Sequence, residues 1–166
     1  MPKQLIHGLT HSELVKIATR WLRNTENCSV VISEMASQSE EPDAIGWKAR
    51  VSTLIECKVS KGDFRRDREK FARRIMPGDP SGCASIYNLG MGVYRNYMTP
   101  EGLLQEHEHA TILPKGWGLL EVSFTGRVSR IIEATPWILP TMALRSELGL
   151  VLSALRRYQE ADRVKA

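Results

Sequence analysis

Two carboxylates and an amine offer the clearest chemistry in this chain. Glu56 and Lys58 are two residues apart in Leu54-Ile55-Glu56-Cys57-Lys58-Val59, and Asp43 lies thirteen residues before Glu56 in Glu41-Pro42-Asp43-Ala44-Ile45-Gly46. Side chains of an extended strand alternate between faces, so Leu54, Glu56 and Lys58 share one face and Ile55, Cys57 and Val59 the other. The second face is apolar and reads as core. The first sets a carboxylate beside an ammonium at an open edge. If residues 43–48 and 51–59 form an antiparallel hairpin turning at Ala49-Arg50, residue 48 faces 51, 45 faces 54 and 43 faces 56. Asp43 and Glu56 then stand with Cβ atoms ~5 Å apart. Carboxylates that close repel unless a cation lies between them. A hard divalent ion, Mg²⁺ or Mn²⁺, suits such oxygen ligands. The turn lacks the glycine or asparagine that two-residue hairpins favour, which leaves a one-residue slip open.

Charge is distributed unevenly around this stretch. Residues 58–74 carry eight basic side chains (Lys58, Lys61, Arg65, Arg66, Arg68, Lys70, Arg73, Arg74) against the acids Asp63, Asp67 and Glu69, a local +5 in a chain of net +4. An anionic polymer would be held there. At 166 residues, 42% hydrophobic and 25% charged, the chain has the size and composition of one soluble domain with a real core. Cysteines 28, 57 and 83 show no CxxC spacing and leave one unpaired in any scheme, which fits a reduced, cytoplasmic compartment. No apolar signal core or membrane-length run is present, so a membrane partner is not expected.

The elements that must position the acids follow from periodicity. Thr10 or Ser12 can cap a first helix in which Leu14, Ile17, Ala18, Trp21 and Leu22 form one apolar face. Glu13 falls in its first turn, where favourable interaction with the helix dipole is an explanation in itself. Residues 28–35 read as a strand. After Lys58 a turn ends at Asp63, a candidate N-cap, and a helix from Phe64 to about Ile75 puts Phe64, Phe71, Ala72 and Ile75 opposite Arg66, Lys70, Arg73 and Arg74. The Gly- and Pro-rich residues 76–92 read as a long loop. Tyr94 to Met98 reads as a short strand, His107 and His109 fall in a polar loop, and residues 117–133 read as a second hairpin around Thr125-Gly126. Pro136 and Pro140 precede a last helix, about Met142 to Glu160, whose Leu144, Leu148, Val151, Leu152 and Leu155 read as a packing face. Trp47, Trp117 and Trp137 read as packing residues, and the four histidines as scattered surface groups.

Pro42-Asp43 followed by Glu56-Cys57-Lys58 resembles the signature of the PD-(D/E)XK nuclease superfamily. The order of a helix bearing Glu13, a strand, a hairpin and a basic helix agrees with it. The run from Glu56 to Asp67, with Tyr94 to Leu104 and Trp117-Gly118-Leu119-Leu120, is most similar to short MmcB-type DNA-repair proteins and related phage proteins. The resemblance covers roughly residues 10–135. It implies a restriction-endonuclease-like α/β fold, a mixed β-sheet core flanked by helices over residues 1–135, with residues 136–166 an added C-terminal helix on the same domain. It also implies that Asp43 and Glu56 are metal ligands, that the Cys57 backbone carbonyl adds a third oxygen, and that Lys58 is the catalytic lysine. Glu13 matches the first-helix glutamate that completes the metal site in a resolvase-like branch, with Glu34 as its rival. Cys57 stands where an aliphatic residue is more usual, which matters little if only its carbonyl is used.

The chemistry expected is divalent-metal-dependent hydrolysis of DNA phosphodiesters, in repair, recombination or phage DNA metabolism. A divalent ion polarises the phosphate, acidifies a water and stabilises the leaving oxygen. Lys58 would orient the water or neutralise the transition state. Ser60, Lys61, Arg65, Arg66, Lys70, Arg73 and Arg74 would contact DNA, though a turn-closing hydroxyl explains Ser60 equally well. Two alternatives stand beside the endonuclease: a catalytically inactive nucleic-acid-binding module of the same fold, and a DNA-independent structural or inhibitory protein in which Asp43, Glu56 and Lys58 form only a surface ion-pair cluster. Whether the protein acts as a monomer or a homodimer is left open.

Overall fold

The structure is a computed structural model that describes residues 8–35, 41–69 (backbone alone at 68 and 69) and 90–163. Its elements are α1 (His11–Asn24), β1 (Val30–Ser33), β2 (Ala44–Lys48), β3 (Val51–Cys57), α2 (Lys61–Glu69), β4 (Tyr94–Pro100), α3 (Glu106–Ile112), β5 (Gly118–Val122), β6 (Val128–Ile132) and α4 (Thr141–Arg163). The six strands form one sheet in the order of the chain. Pairing is antiparallel between β1 and β2, β2 and β3, and β5 and β6, and parallel from β3 to β4 and from β4 to β5. Parallel neighbours need a crossover, and α2 and α3 lie in the two connections. The fold is thus α/β, a mixed sheet flanked by helices with an added C-terminal helix.

The central hairpin takes the register expected for a turn at Ala49-Arg50: Lys48 faces Val51 and Ile45 faces Leu54. Ala49 fills the turn at φ +55°, a left-handed conformation that costs a residue with a Cβ ~1 kcal/mol. Burial holds the register despite that strain. β3 is buried on both faces from Ser52 to Cys57, and a slip by one residue would exchange the two sets of side chains.

Helices cover both faces of the sheet. Leu14, Ile17, Ala18 and Leu22 of α1 pack on Ala44, Ile55, Cys57 and Met98. On the other face Phe64 of α2 and Leu150 of α4 meet Ile45, Leu54, Tyr97 and Leu119. This corrects the expectation of an open charged face: Glu56 is 0% exposed and Lys58 5%. Val59, expected in the core, lies past the end of β3 and is exposed.

Three further differences have local causes. Helix α2 begins at Lys61, not after Asp63, because Ser60 takes the capping position. The Ser60 hydroxyl accepts from Asp63 N–H (3.3 Å), and the Asp63 carboxylate accepts from Ser60 N–H (2.9 Å) and Val59 N–H (3.1 Å). His107 and His109 lie on α3, a seven-residue helix with no buried residue and hence no apolar period to read. In α4 most of the expected packing stripe faces outward, with Leu144, Leu148, Leu152 and Leu155 each about half exposed, and only Val151 of the five packs against the core. Ala143, Glu147 and Leu150 face inward instead. Glu147 decides that orientation by accepting hydrogen bonds from Trp47 Nε1 (3.0 Å), Ser52 Oγ (2.9 Å) and Gly92 N–H (2.9 Å). Gly92 sits at φ +91°, and a Cβ there would lie 2.6 Å from Leu54 Cβ, so the contact requires glycine.

The tryptophans pack as expected. Trp117 stacks on Tyr97 at 4.5 Å, and Trp137 donates to the Gly92 carbonyl (2.9 Å) with the buried Arg95 guanidinium 3.9 Å from its ring centroid. Most of the 76–92 loop, with Lys70, Arg73 and Arg74, lies outside the described residues. Among the described residues no helix is long and apolar enough to cross a membrane.

Candidate active site

A cleft of about 270 Å³ opens where α1, β3 and α2 meet, lined by His11, Asp43, Glu56, Cys57, Lys58, Val59, Asp63, Arg66 and Asp67. Each side chain is delivered by an element whose local sequence fixes it. Lys58 N–H donates to the Met98 carbonyl (3.0 Å), which extends the parallel β3/β4 pairing past Cys57 and holds Glu56 and Lys58 on one side. Asp43 lies one step beyond the β2/β3 ladder. Its Oδ2 accepts from Cys57 N–H at 2.7 Å, and its Oδ1 is 3.3 Å from His11 Nε2 at the start of α1.

Asp43 carries the electrostatic signature of the site. Burial raises its carboxyl from the ordinary 3.8 to about 6, and the charge of Glu56 adds to the rise. The Cys57 N–H, Lys58 and His11 oppose it without cancelling it. A second carboxylate therefore stands close enough to Asp43 to repel its charge. Burial and the same two carboxylates also push the Cys57 thiol up, which keeps it from acting as a nucleophile.

Lys58 is held at the floor of the cleft by two acids. Its Nζ donates to Glu56 Oε2 (3.0 Å) and Asp67 Oδ1 (3.1 Å), and the other Asp67 oxygen accepts from the Tyr97 hydroxyl at 2.6 Å. Tyr97 is itself clamped between Trp117 and the edge of Phe64, with ring centroids 4.5 and 4.9 Å away. The ammonium thus has a defined direction, set by a chain of contacts that ends in the aromatic core.

The cleft brings together Asp43, Glu56, Cys57 and Lys58, as the motif implies. It does not bring in Glu13, whose carboxylate closes a capping box on the Thr10 N–H (2.8 Å) and hydroxyl (2.7 Å) and is held below the usual carboxylate range by them. Nor does it include Glu34, which is exposed at φ +50° beside a second hollow and donates its N–H to the Asp43 carbonyl (3.2 Å). Of the expected DNA contacts, Ser60 caps α2, Lys61 bridges Glu108 on α3 (2.7 Å), Arg66 pairs with Asp63 and also lines the cleft, and Arg65 is exposed. Sequence reasoning missed His11, Asp67 and Tyr97. Asp67 did leave a trace: it lies three residues after Phe64, on that helix's inward side.

The donor set fits a divalent cation in kind. Asp43 and Glu56 supply two carboxylates, with His11 beside Asp43. The alternation that aims the Cys57 N–H at Asp43 aims its carbonyl to the same side of the strand. Among the described residues no three His, Cys, Asp or Glu side chains are gathered as a ready-made metal cage. An ion here would complete its shell with water and a substrate oxygen, as Mg²⁺ commonly does.

No family model matches this chain, and no curated protein matches it. In three dimensions it is similar to the SPO1766 protein of unknown function from Silicibacter pomeroyi, with a TM-score of 0.59 and 18% identity over 95% of each chain. A likeness at that identity bears on the fold alone.

Proposed function

We propose that the protein is a divalent-metal-dependent DNA endonuclease of the PD-(D/E)XK type, acting inside the cell. The observation that carries this reading is one cleft holding two mutually repelling carboxylates, Asp43 and Glu56, beside a lysine fixed in direction. Asp43 and Glu56 would hold Mg²⁺ or Mn²⁺, with the Cys57 carbonyl completing the protein's share. The bound ion supplies charge neutralisation at the phosphate and a more acidic water. The protein's own residues do the rest. Lys58 presents an ammonium toward the attacked phosphodiester, where negative charge grows in the transition state. Glu56 and Asp67 keep that ammonium from swinging away, and Tyr97 keeps Asp67 in place. Arg66, at the rim, is suited to a neighbouring phosphate once Asp63 releases it.

Incubation with linear, nicked, branched and single-stranded DNA in Mg²⁺ or Mn²⁺ tests the reading. Cutting that disappears in Asp43→Asn and Lys58→Ala supports it; cutting that survives both assigns the activity elsewhere. One feature favours the binding module without turnover: Lys58 is committed to two carboxylates, which leaves its ammonium less charge to offer a phosphate. DNA binding that weakens with salt, with no metal-dependent cleavage of any substrate, would select that second reading.

A further inference from the structure

The basic helix expected to face DNA is partly neutralised where it is described: Lys61 bridges Glu108 and Arg66 pairs with Asp63. A second group of cations lies on α1. Lys16, Arg20 and Arg23 recur at i, i+4 and i+7, so they share one helix face, and all three are exposed. They wall a hollow of about 410 Å³ whose far side is Ser33 and Glu34 at the end of β1. Among the described residues no ion pair ties any of the three to a carboxylate. Glu13, the nearest acid on their own helix, attracts Lys16 but is held in the Thr10 capping box. Glu34 is the remaining negative group in the hollow.

The hollow adjoins the cleft where β1 ends and β2 begins: Glu34 N–H donates to the carbonyl of Asp43, whose side chain lines the cleft. Lys16 and Arg23 are about 10 Å apart along the helix axis, a span of about three base steps.

We propose that this α1 hollow is a nucleic-acid backbone site, taking the sugar–phosphate chain on one side of the bond held in the cleft. Lys16, Arg20 and Arg23 neutralise successive phosphates, while Asn24 and Ser33 offer neutral hydrogen bonds at the rim. Glu34 keeps the hollow from holding an anion tightly by itself, so the site acts on a polymer that the cleft also grips. The proposal rests on the nuclease reading for its ligand, and its test is kept separate from turnover.

The test is the salt dependence of binding of a fluorescently labelled DNA duplex, followed by anisotropy in the Asp43→Asn background so that no cleavage intervenes. Combined Lys16→Gln, Arg20→Gln and Arg23→Gln should make the slope of log K against log salt shallower by about 2 to 3 and weaken binding more than tenfold at moderate salt. A control with the same charge change elsewhere, Lys115→Gln, Arg127→Gln and Arg157→Gln, should alter the slope by less than ~1. All six side chains are exposed, and thermal melts of both variants should match the parent. Equal slopes for the α1 variant and its parent, or equal changes in the two triple variants, overturn the α1 site and leave the nuclease reading standing. Failure of the parent to bind DNA at low salt overturns both.

Discussion

Glu147 and Glu56 are buried carboxylates on the same face of the sheet, 6% and 0% exposed, and their surroundings differ in kind. Glu147 accepts from an indole, a hydroxyl and a backbone amide, three neutral donors drawn from three segments. Glu56 is tied to a lysine that it shares with Asp67, and it raises the proton affinity of a further acid, Asp43, in a cleft open to solvent. The first arrangement is closed: its hydrogen bonds offset the desolvation of one charge, and nothing further is needed. Among the described residues, the second gathers three acids, Asp43, Glu56 and Asp67, around one lysine. Burial of an acid therefore does not single out a candidate site in this protein; acids drawn together beside an entrance do.

Substitutions that treat the two clusters alike should give unlike results. The largest effect is expected on turnover: with Mg²⁺ or Mn²⁺, Asp43→Asn should lower DNA cleavage by roughly 10³-fold or more, the scale of a lost transition-state stabiliser, whereas a conservative change at Glu147 should leave per-molecule cleavage near the parent's. Next comes folding. Glu147→Leu strands the Trp47, Ser52 and Gly92 donors and should cost about 3 to 5 kcal/mol in chemical denaturation, with no change in any metal-induced rise of the melting temperature.

Asp43 should do the reverse in metal-free buffer. Its folded-state carboxyl titrates near 6 against an ordinary 3.8, so the folded form holds the proton more tightly than the unfolded form. Stability should fall as pH rises from about 4 to 6 and then level off, a loss of about 2 to 3 kcal/mol before allowance for its partial exposure. Asp43→Asn should flatten that slope, because asparagine keeps an acceptor for the Cys57 N–H and carries no charge. A slope unchanged by the substitution would mean that folding does not raise the proton affinity of Asp43. The smallest effect is expected at Tyr97→Phe, which removes one bond to Asp67: about 1 kcal/mol of stability, with a fall of about tenfold in kcat and little change in KM if the hydroxyl positions Lys58.

Much of this contrast was legible in the chain, but unevenly. The hairpin register followed from a turn placed at Ala49-Arg50, and the slip left open there is excluded by the distinct partners that β3 meets on its two buried faces. The pairing of Asp43 with Glu56 and Lys58 in one cleft followed from that register. For Glu13 the local explanation prevails over the metal role that the resemblance implies: Thr10-His11-Ser12-Glu13 is itself a capping-box sequence, and its carboxylate is held by Thr10. Asp67 was counted only as one acid in a basic run, since a charge is seldom assigned to a helix's inward side. Tyr97 and His11 depend on strand β4 and on the docking of α1, contacts over long sequence distances that local periodicity does not encode. The inverted face of α4 has the same cause, because a polar anchor at Glu147 chose the side that an apolar count would have rejected.

The C-terminal end of α4 has a practical consequence. After Ala154 every described residue to Arg163 is exposed, a rod ~13 Å long that contributes nothing to the interior. A fluorophore or surface tether joined there would ride on the outside of the molecule, well past the Glu147 anchor, and would report on the whole protein without disturbing it.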